Sequence, residues 1–440
     1  MGKIEVKDHI FPPLKAIRLP PNILVDATDI LPIINHSQFQ LLQHKKQVGL
    51  VSLVFRGATH TRFFHSIKAY YNTGQILNHF RIFNEPLRSA ILCYGLLHDQ
   101  GHGPFSHQTE PLLQSNHNEQ GLIRLDQMKK TISKCADFEL VKELFAHENP
   151  YHQIVSDKNL GADKLSYLVD DSYYMGFANT PDVNNIILYT VFINGKIALE
   201  EKNIDEIKQA QQFFSYLHTR GYLRKQSLIN QRILQRAVEE SMKADGYGEQ
   251  EIWTMTDSDL EGRLANSKSH LAQELFERLR SRTDVNVPDE EYDGTLKTAV
   301  VFRVPEAVKA ERIAKKSIKV KAMPLEIIRR FMERYSTPYK LTEFEDELSR
   351  EFGVPPGQLL VAAMPFFERL LPKDVLLYSQ KTGETDTLFG RDPLHKQLLY
   401  EIYQHSFAIR LATTEEKRRE VEQKGSDIHA YVLDKIENAR

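Results

Sequence analysis

Apolar residues in the first half of the chain recur mainly with the period of a helix. Ser37 is placed to cap a short helix that ends near Gly49. Thr59 or Thr61 is placed to cap a second helix, whose aromatic and aliphatic residues fall on one face. A third segment, LRSAILCYGLLHD, is apolar nearly all round. This pattern predicts a helix in the middle of a core.

Further helices and a few strands are predicted along the rest of the chain. A helix over residues 163–174 follows Gly161 and ends at Gly176, because glycine suits the left-handed turn after a helix. The acidic, turn-rich stretch 282–296 is the best candidate for a linker. The other predicted elements are a helix at 206–242, a strand at 297–304, helices at 324–336 and 341–352, a strand at 375–379, and terminal helices.

These elements predict a mainly α protein with a smaller α+β part toward its C-terminal end. We expect an extended lead over residues 1–29, a helical domain over 30–240 and an α+β extension over 241–440. Two apolar segments of the extension, IIRRFMERY and LLVAAMPFFERLL, read as helices that pack on a partner subunit or on the core. The extension is therefore a candidate for oligomerisation.

Composition narrows the class of protein. The 57 basic and 59 acidic residues nearly balance, so the chain has no global charge bias toward nucleic acid or an anionic membrane. Its two cysteines, Cys93 and Cys135, lie in no CxxC motif, which argues against a disulfide framework and for a reducing cytosol. No apolar run approaches the length of a membrane span. We therefore expect a soluble, cytoplasmic protein without a membrane partner.

The most informative chemistry lies in the run HDQGHGPFSH, which begins with His98 and Asp99. An imidazole and a carboxylate suit a borderline divalent ion such as Zn, Mn, Fe or Ni, and adjacent ligands approach one ion only where the backbone bends. The other ligands must come from elsewhere in the chain. Candidate groups form four clusters: His60, Arg62 and His65; His98, Asp99, His102 and His107; His117; and Asp163, Lys164, Tyr167 and Asp171.

Helical spacing places several of these groups on common faces. Arg62 and His65 are three apart, so one can point at a phosphate while the other holds a metal. Asp163, Tyr167 and Asp171 form a polar stripe where a core helix would be apolar. The alternative is that such residues are solvated or hydrogen-bonded structural groups, since the chain has 17 histidines. The apolar helices beside two of the clusters argue against it, because a buried ionisable group is costly without a partner.

A divalent ion held by two imidazoles and two carboxylates favours hydrolysis. It would lower the pKa of a bound water from about 15.7 toward about 7 and neutralise charge on a phosphoryl oxygen. Arg62, His102 and His107 would then contact phosphate oxygens or pass a proton to the leaving group. A ligand set completed by water describes a catalytic site rather than a closed structural one.

His65, His98, Asp99 and Asp163 resemble, in this order, the metal-ligand pattern H…HD…D of the HD-domain phosphohydrolase superfamily. The words FRGATHTRFFHS, HDQGHGPFSH and ADKLSYLVDDSYYMG resemble its deoxynucleoside triphosphate triphosphohydrolase branch, over roughly residues 30–235. The resemblance implies a helical HD-domain fold, a divalent metal (Mn, Fe, Mg, Zn or Ni) and a homo-oligomer, a dimer or a tetramer. It also implies that metal-activated water attacks the α-phosphorus of a dNTP, dGTP being one candidate, and releases deoxynucleoside and inorganic triphosphate.

The resemblance further implies contacts with the substrate. His102 and His107 match histidines near the α-phosphate and the leaving group. The implied substrate contacts are Gln47 beside the sugar, Arg62 next to the first metal histidine, Lys164 and Arg220 at phosphates, Tyr167 against the deoxyribose, and Asp171 as the acceptor of the 3′-hydroxyl.

The chain departs from the branch at two substrate-facing words. The family word HEQG has no clean counterpart in the run that begins with His117 and Asn118. Either Asn118 replaces the additional catalytic histidine, or His117 fills its place after a shift of one residue. The family's nucleotide-contacting Tyr-Gln pair aligns with Leu228 and Ile229, so contacts on that side must differ.

A third departure concerns regulation. In nucleotide-activated members, the stretch before the sugar-contacting glutamine carries an aspartate and an arginine that help bind a guanine nucleotide. This chain reads NHSQFQLLQ over residues 35–43, so both charges are missing. Loss of the carboxylate removes a charged hydrogen bond, which contributes about 1.5–3 kcal/mol. We predict that activation by dGTP is absent or altered.

Two other functions are left open. One is an HD-type nucleotidase or phosphodiesterase, against which Gln47 argues, because a phosphate-only hydrolase needs no contact with a sugar. The other is a nucleotide sensor or nucleic-acid-binding regulator, supported by the basic segment 315–321 with Arg329 and Arg330. Such a run is usually a solvated face, and the full metal set argues against an inactive protein. We do not expect a nucleic-acid partner, but a regulatory nucleotide stays open.

Overall fold

The computed structural model describes residues 15–80, 84–280, 294–311, 319–363 and 370–437. Helices predominate in these ranges, which confirms the predicted mainly α fold. The elements up to residue 245 are β1 Ala16–Leu19, β2 Ile23–Asp26, α1 Leu31–Ile34, α2 Ser37–Gln40, α3 Arg62–His79, α4 Glu85–Leu97, α5 His117–Ile132, α6 Phe138–Phe145, α7 Gln153–Ser156, α8 Ala162–Tyr174, α9 Val183–Tyr189, β3 Thr190–Ile193, β4 Lys196–Glu200, α10 Ile204–Leu217 and α11 Lys225–Asp245.

The remaining half combines helices with short strands, as the predicted α+β extension requires. Its elements are α12 Glu249–Thr254, α13 Asp257–Ala265, α14 His270–Arg280, β5 Lys297–Arg303, α15 Pro305–Glu311, β6 Lys319–Ala322, α16 Leu325–Arg334, α17 Pro338–Phe352, β7 Leu359–Ala362, β8 Leu376–Tyr378, β9 Thr385–Thr387, α18 Leu388–Arg391, α19 Pro393–His405, β10 Ala408–Thr413, α20 Glu415–Gln423 and α21 Gly425–Glu437.

Helices α3, α4 and α8 pack together and form the frame of the candidate site. Thr61 caps α3 by accepting from the backbone N–H of Phe64, and Asn84 caps α4 in the same way. Most residues of α4 between Ala90 and Leu97 are buried, as its apolar sequence predicts. Helix α8 is followed by Gly176 at φ +79°, where an added Cβ would meet no neighbour. Local signals in the sequence therefore define all three helices.

Two four-stranded sheets contain most of the strands. One has the order β6-β5-β10-β7, in which β10 is antiparallel to both neighbours and β6 is parallel to β5. The other has the order β3-β4-β8-β9, and β8 pairs in parallel with β4. The apolar core around α3, α4 and α8 therefore also contains residues from far along the chain, namely Val375, Leu377, Leu388 and Leu399.

The helix expected over 206–242 is interrupted in the structure. Helix α10 ends at Leu217, a wide π-helical turn covers His218–Tyr222, and α11 begins at Lys225. A Cβ on Gly221 would lie 3.1 Å from the sulfur of Met175, so this turn packs closely on the end of α8. Periodicity does not reveal the break, because long-range contacts produce it.

Two smaller expectations also need correction. His36, not Ser37, caps α2, because its Nδ1 accepts from the backbone N–H of Gln38 at 3.2 Å. The segment LLVAAMPFFERLL begins as strand β7 rather than as a helix, because it pairs with β10. Three stretches lie outside the described residues: residues 364–369 of this segment, most of the candidate linker, and most of the basic segment 315–321. The hairpin β3–β4 was not predicted, although Asn194 and Gly195 at its turn have the positive φ typical of Asn-Gly.

Candidate active site

The four predicted metal ligands meet where α3, α4 and α8 converge, and we call them the metal cluster. His65 lies on α3, His98 and Asp99 follow the last turn of α4, and Asp163 lies in the first turn of α8. His65 Nε2 lies 3.1 Å from Asp163 Oδ1 and 3.3 Å from His98 Nε2. Asp99 Oδ1 lies 3.5 Å from His98 Nε2, and its Oδ2 lies 3.6 Å from His65 Nε2. All four side chains therefore face a common point.

The metal cluster fits a divalent cation by its donors and its electrostatics. Nδ1 of His98 lies 2.9 Å from the carbonyl oxygen of Gly95, which fixes the ring with Nε2 toward the cluster. Burial raises the pKa of Asp163, but hydrogen bonds from both histidines hold that pKa well below its usual range. Burial opposes the charged form of His98, yet Asp99 and Asp163 raise its pKa to about 9. The carboxylates thus strongly favour positive charge at this point.

Arg62 links the metal cluster to the loop that follows α4. Its side chain is buried and donates to Asp99 and, at 2.5 Å, to Ser106 Oγ. Burial raises the pKa of Asp99, and Arg62 is the first of the groups that bring it well below the usual range. Arg62 therefore keeps Asp99 ionised and ties its carboxylate to the loop.

A second group of donors lies beside the metal cluster and comprises His102, His107, Glu110 and His117, here called the histidine cluster. Nδ1 of His107 lies 2.8 Å from one oxygen of Glu110, and Nδ1 of His117 lies 2.9 Å from the other. The rings of His102 and His117 stack at 4.2 Å. His102 Nε2 lies 3.3 Å from Asp99 Oδ1, so the two clusters touch.

The structure brings His117, not Asn118, into this group. Both residues begin α5, but the side chain of Asn118 is exposed and that of His117 packs on His102. Of the two alternatives for the additional histidine, the geometry favours the shift of one residue.

Desolvation by the surrounding protein favours the neutral form of two imidazoles in the histidine cluster, those of His102 and His107. It lowers the pKa of His102 well below the usual value, and the charge of Arg62 adds to this effect. It also lowers the pKa of His107, against an opposing contribution from Glu110. Burial raises the pKa of Glu110, but its bonds from His107 and His117 hold it far below the usual range. Because Glu110 accepts at both Nδ1 atoms, Nε2 of each ring is left to exchange a proton.

The residues expected at a sugar flank the metal cluster. Gln47 follows Lys46, which forms an isolated β-bridge with Thr61. The backbone N–H of Gln47 donates to the carbonyl oxygen of His60. The side-chain oxygen of Gln47 is buried, and no donor among the described residues reaches it. A buried acceptor without a partner is costly, and an arriving hydroxyl would remove that cost.

Asp171 lies on the same face of α8 as Asp163 but already has protein partners. Its carboxylate accepts from the hydroxyl of Tyr222 and lies 2.7 Å from His60 Nε2. The ring of Tyr174 stacks on His60 at 4.3 Å. A sugar hydroxyl at Asp171 would therefore join or replace existing bonds.

The residues expected at phosphates are placed differently from one another. Lys164 is buried, its Nζ lies 2.8 Å from the ring centroid of Phe214 and 5.3 Å from that of Tyr167, and burial holds its pKa well below the usual value. Arg220 lies in the π-helical turn with an exposed side chain. Lys164 is thus a buried base beside an aromatic wall, while Arg220 is outside the buried clusters.

Sequence reasoning missed three residues of this region. Glu110 carried a weak signal, its spacing of three from His107, but it is one of 59 acidic residues. Tyr222 was missed because the break between α10 and α11 was missed. His60 was noticed without a role, and its bond with Asp171 spans 111 residues of sequence. Leu228 and Ile229 are buried in an apolar cluster with α14, consistent with their lack of polar atoms.

Comparison with known proteins finds relatives at 26–28% identity. No protein-family model matches it. It is 28% identical over 272 residues to an uncharacterised protein of Methanocaldococcus jannaschii, which covers 60% of this chain and 58% of that protein. It is 26% identical over 257 residues to the deoxynucleoside triphosphate triphosphohydrolase SAMHD1 homolog of Dictyostelium discoideum, covering 53% and 48% respectively. A mimivirus relative, 28% identical over 229 residues, is a putative HD domain-containing protein and covers 44% of this chain and 50% of that one. The chain is thus similar to an HD domain-containing protein and to a protein named as a deoxynucleoside triphosphate triphosphohydrolase.

Solved structures support the fold of the chain. A phosphohydrolase from Bacteroides thetaiotaomicron superposes with a TM-score of 0.67 at 21% identity and covers 91% of this chain and all of its own. A hypothetical protein from Aquifex aeolicus gives a TM-score of 0.66 at 19% identity, covering 93% and 99%. The chain spans only about half the length of the curated relatives it matches, 48–58% for three of them. In its described part, no helix combines the length and the apolar character needed to cross a membrane.

Proposed function

We propose that this protein is a metal-dependent triphosphohydrolase that converts a dNTP into a deoxynucleoside and inorganic triphosphate. One observation carries the proposal: the metal cluster and the histidine cluster share a contact, Asp99 with His102 at 3.3 Å. Groups suited to holding a cation and groups suited to moving a proton are thus adjacent. The name of the Dictyostelium discoideum relative supports the choice of substrate.

The metal cluster would hold the cation. Bound there, a divalent ion would supply a Lewis acid that acidifies water and neutralises charge on a phosphoryl oxygen. The chain contributes the geometry: Arg62 keeps Asp99 ionised, and Gly95 orients His98. A guanidinium beside the cluster would also bind phosphate oxygens.

Protons would pass through the histidine cluster. In the proposed reaction, a water oxygen bonds to the α-phosphorus, the bond from phosphorus to O5′ breaks, and O5′ takes up a proton. Glu110 fixes Nδ1 of His107 and of His117, so their Nε2 atoms would exchange that proton. The side chain of His107 is 46% exposed, which lets its proton equilibrate with solvent.

Discrimination of the sugar would rest on Gln47 and α8. The unpartnered oxygen of Gln47 would accept from a sugar hydroxyl. Tyr167, half-buried on α8 between Asp163 and Asp171, would pack against the deoxyribose. Lys164, the buried base next to Asp163, would gain a partner from a phosphate.

The proposal is tested by identifying the phosphate product. We would load the protein with Mn, Fe, Mg, Zn or Ni in turn and incubate it with each dNTP, singly and in mixtures. Inorganic triphosphate and deoxynucleoside in equal amounts are the expected products. Orthophosphate or pyrophosphate alone would contradict the proposal and favour a nucleotidase or phosphodiesterase.

The same assay tests regulation by a nucleotide. Residues 35–43 carry neither of the two charges described above, so we propose that trace dGTP does not stimulate hydrolysis of dATP. Progress curves with and without trace dGTP should coincide. A clear stimulation would show that this chain binds an activator through other residues.

A further inference from the structure

Helices α12 and α13 carry two carboxylates that receive backbone N–H groups from the histidine cluster's loops. Glu249 accepts from the backbone of Gln114 at 3.1 Å and of Ser115 at 2.8 Å, just before His117. It also accepts from the side chains of Ser115 and Trp253. The loop that leads into His117 is therefore fixed from outside the metal cluster's frame.

Asp257 joins two further segments of the site. Its Oδ2 accepts from the backbone N–H of Lys46 at 2.9 Å, next to Gln47. Its Oδ1 accepts from the backbone N–H of Phe105 at 2.8 Å, between His102 and His107. Asp257 is 4% exposed, so one buried carboxylate connects the sugar side of the site with the histidine side.

The backbone that Asp257 holds is strained. Phe105 and Ser106 have φ of 52° and 55°, two successive residues other than glycine in the left-handed region. Each such residue costs on the order of 1–3 kcal/mol, which the surrounding contacts must offset. The strained turn directs Ser106 Oγ to Arg62, which in turn binds Asp99. The buried Trp253, between the two carboxylates in sequence, lies under Gly103 of the same loop.

We infer that residues 249–257 act as a clamp that positions the histidine cluster and Gln47 for the reaction. Glu249 sets the approach of His117, and Asp257 couples the placement of Gln47 to that of His102 and His107. Both are positioning residues, since neither lies among the groups expected to touch the substrate. The inference rests on the proposed function for its kinetic consequences, but the contacts themselves are testable without activity.

The two carboxylates have different expected effects. Asp257→Asn places an amide NH2 against a backbone N–H and loses one of two charge-assisted bonds, so kcat/KM for a dNTP should fall about tenfold. Its preference for dNTP over the matching NTP should also fall, because Gln47 shifts. Glu249→Gln should lower kcat by a similar factor and leave the sugar preference unchanged, since Glu249 holds only the side of His117. Metal content should equal that of the wild type in both.

Asp259→Asn is the matched control, because Asp259 lies on the same helix and its hydrogen bonds among the described residues are those of the capping box with Thr256. It should keep the activity and the sugar preference of the wild type, with a small decrease in Tm. The activity lost by Asp257→Asn is compared with its decrease in Tm. If the ratio of the two equals that of Asp259→Asn, the clamp is merely structural and the inference is wrong. An unchanged sugar preference in Asp257→Asn would overturn the coupling as well.

Hydrogen exchange tests the clamp independently of the reaction. In Asp257→Asn, peptides that contain the amides of Lys46 and Phe105 should exchange about tenfold faster, while those of α3 stay protected. In Glu249→Gln, whose side chain is partly exposed, the change should be confined to residues 114–115. Unchanged exchange in both variants would refute the inference. If the wild type released no triphosphate from any dNTP, the proposed function would fail, and exchange would still decide the clamp.

Discussion

The metal cluster and the histidine cluster lie side by side, yet the chain builds them in different ways. Three of the four metal ligands lie in or directly at the end of the regular helices α3, α4 and α8. The histidine cluster lies on short 3-10 turns, a strained pair of residues and the first turn of α5. Its position depends on carboxylates about 130–150 residues away in sequence.

This difference indicates which substitutions should affect metal binding and which should affect proton transfer. We expect ligands fixed by helices to tolerate changes in single loops, because α3, α4 and α8 are packed in an extensive apolar core. Groups on a clamped loop respond to changes at a distance. We therefore expect the two clusters to separate in experiments that measure metal content and turnover together.

The largest effect should come from Asp163→Asn, which removes one charged ligand without changing its size. Metal content should fall strongly and turnover by about three orders of magnitude, since an ion contributes several kcal/mol to the transition state. Metal analysis and steady-state assays on the same preparation measure both. Asp126→Asn, on the exposed face of α5, is the control and should change neither. A variant at Asp163 with normal metal content and normal turnover would remove the metal cluster from the mechanism.

Glu110→Gln should separate the clusters. Metal content should stay normal, and kcat should fall by about a hundredfold, because general acid–base catalysis is lost in part. Desolvation by the surrounding protein lowers the pKa of His107 and Glu110 raises it, so removing the charge of Glu110 lowers this pKa further. If the proton donor is the His107 imidazolium, the alkaline limb of kcat against pH moves to lower pH. Glu119→Gln, in the capping box of α5, is the control and should leave the alkaline limb in place. If Glu110→Gln also left the limb in place, His107 would be excluded as the proton donor.

Gly101→Ala should disturb the loop by sterics alone. A Cβ at Gly101 would lie 1.7 Å from the carbonyl oxygen of His117 and 2.5 Å from the backbone nitrogen of Gly121, and neither can move freely. We expect a loss of about 1–3 kcal/mol in the free energy of unfolding and about tenfold in kcat. Gly103→Ala is the matched variant, because its Cβ would meet only the ring of Trp253 at 3.1 Å. Equal losses in both, by denaturant titration and turnover, would argue against close contact between the loop and α5.

The smallest effect should be that of Gln47→Ala. One neutral hydrogen bond contributes about 0.5–1.5 kcal/mol, so kcat/KM for a dNTP should fall about two- to tenfold with metal content unchanged. Gln43→Ala, an exposed glutamine of the same region, provides the control. A loss as large as that of Glu110→Gln would mean that Gln47 acts on the reacting groups and not only on the sugar.

The sequence allowed the metal cluster and its frame to be predicted for a physical reason. Thr61, the apolar face of α4 and Gly176 act within one or two helical turns, and periodicity records such local effects. The histidine cluster could be named only in part. Glu110 has no local pattern that separates it from a surface acid. Asp257 accepts from backbone N–H groups, and such bonds require no particular side chain at the partner residues, so the sequence carries no signal for them.

Strand β10 and the π-helical turn show the same limit in the fold. AIRLAT alternates too briefly to predict a strand, yet β10 lies in the interior of a sheet because β5 and β7 flank it. The turn at His218–Tyr222 forms where Tyr222 meets Asp171. In both cases a partner distant in sequence selects the local conformation, and a single segment cannot reveal its partner.

The parallel pairing of β4 with β8 has a consequence for the order in which the protein matures on the ribosome. Strand β8 and helix α19 complete the apolar core that surrounds α3, α4 and α8. When only the first half of a nascent chain has left the ribosome, one edge of β4 and part of the apolar core are therefore exposed. The half that carries both clusters closes only near the end of synthesis, so a premature stop anywhere upstream of β8 should yield a fragment that chaperones retain, however complete its set of ligands.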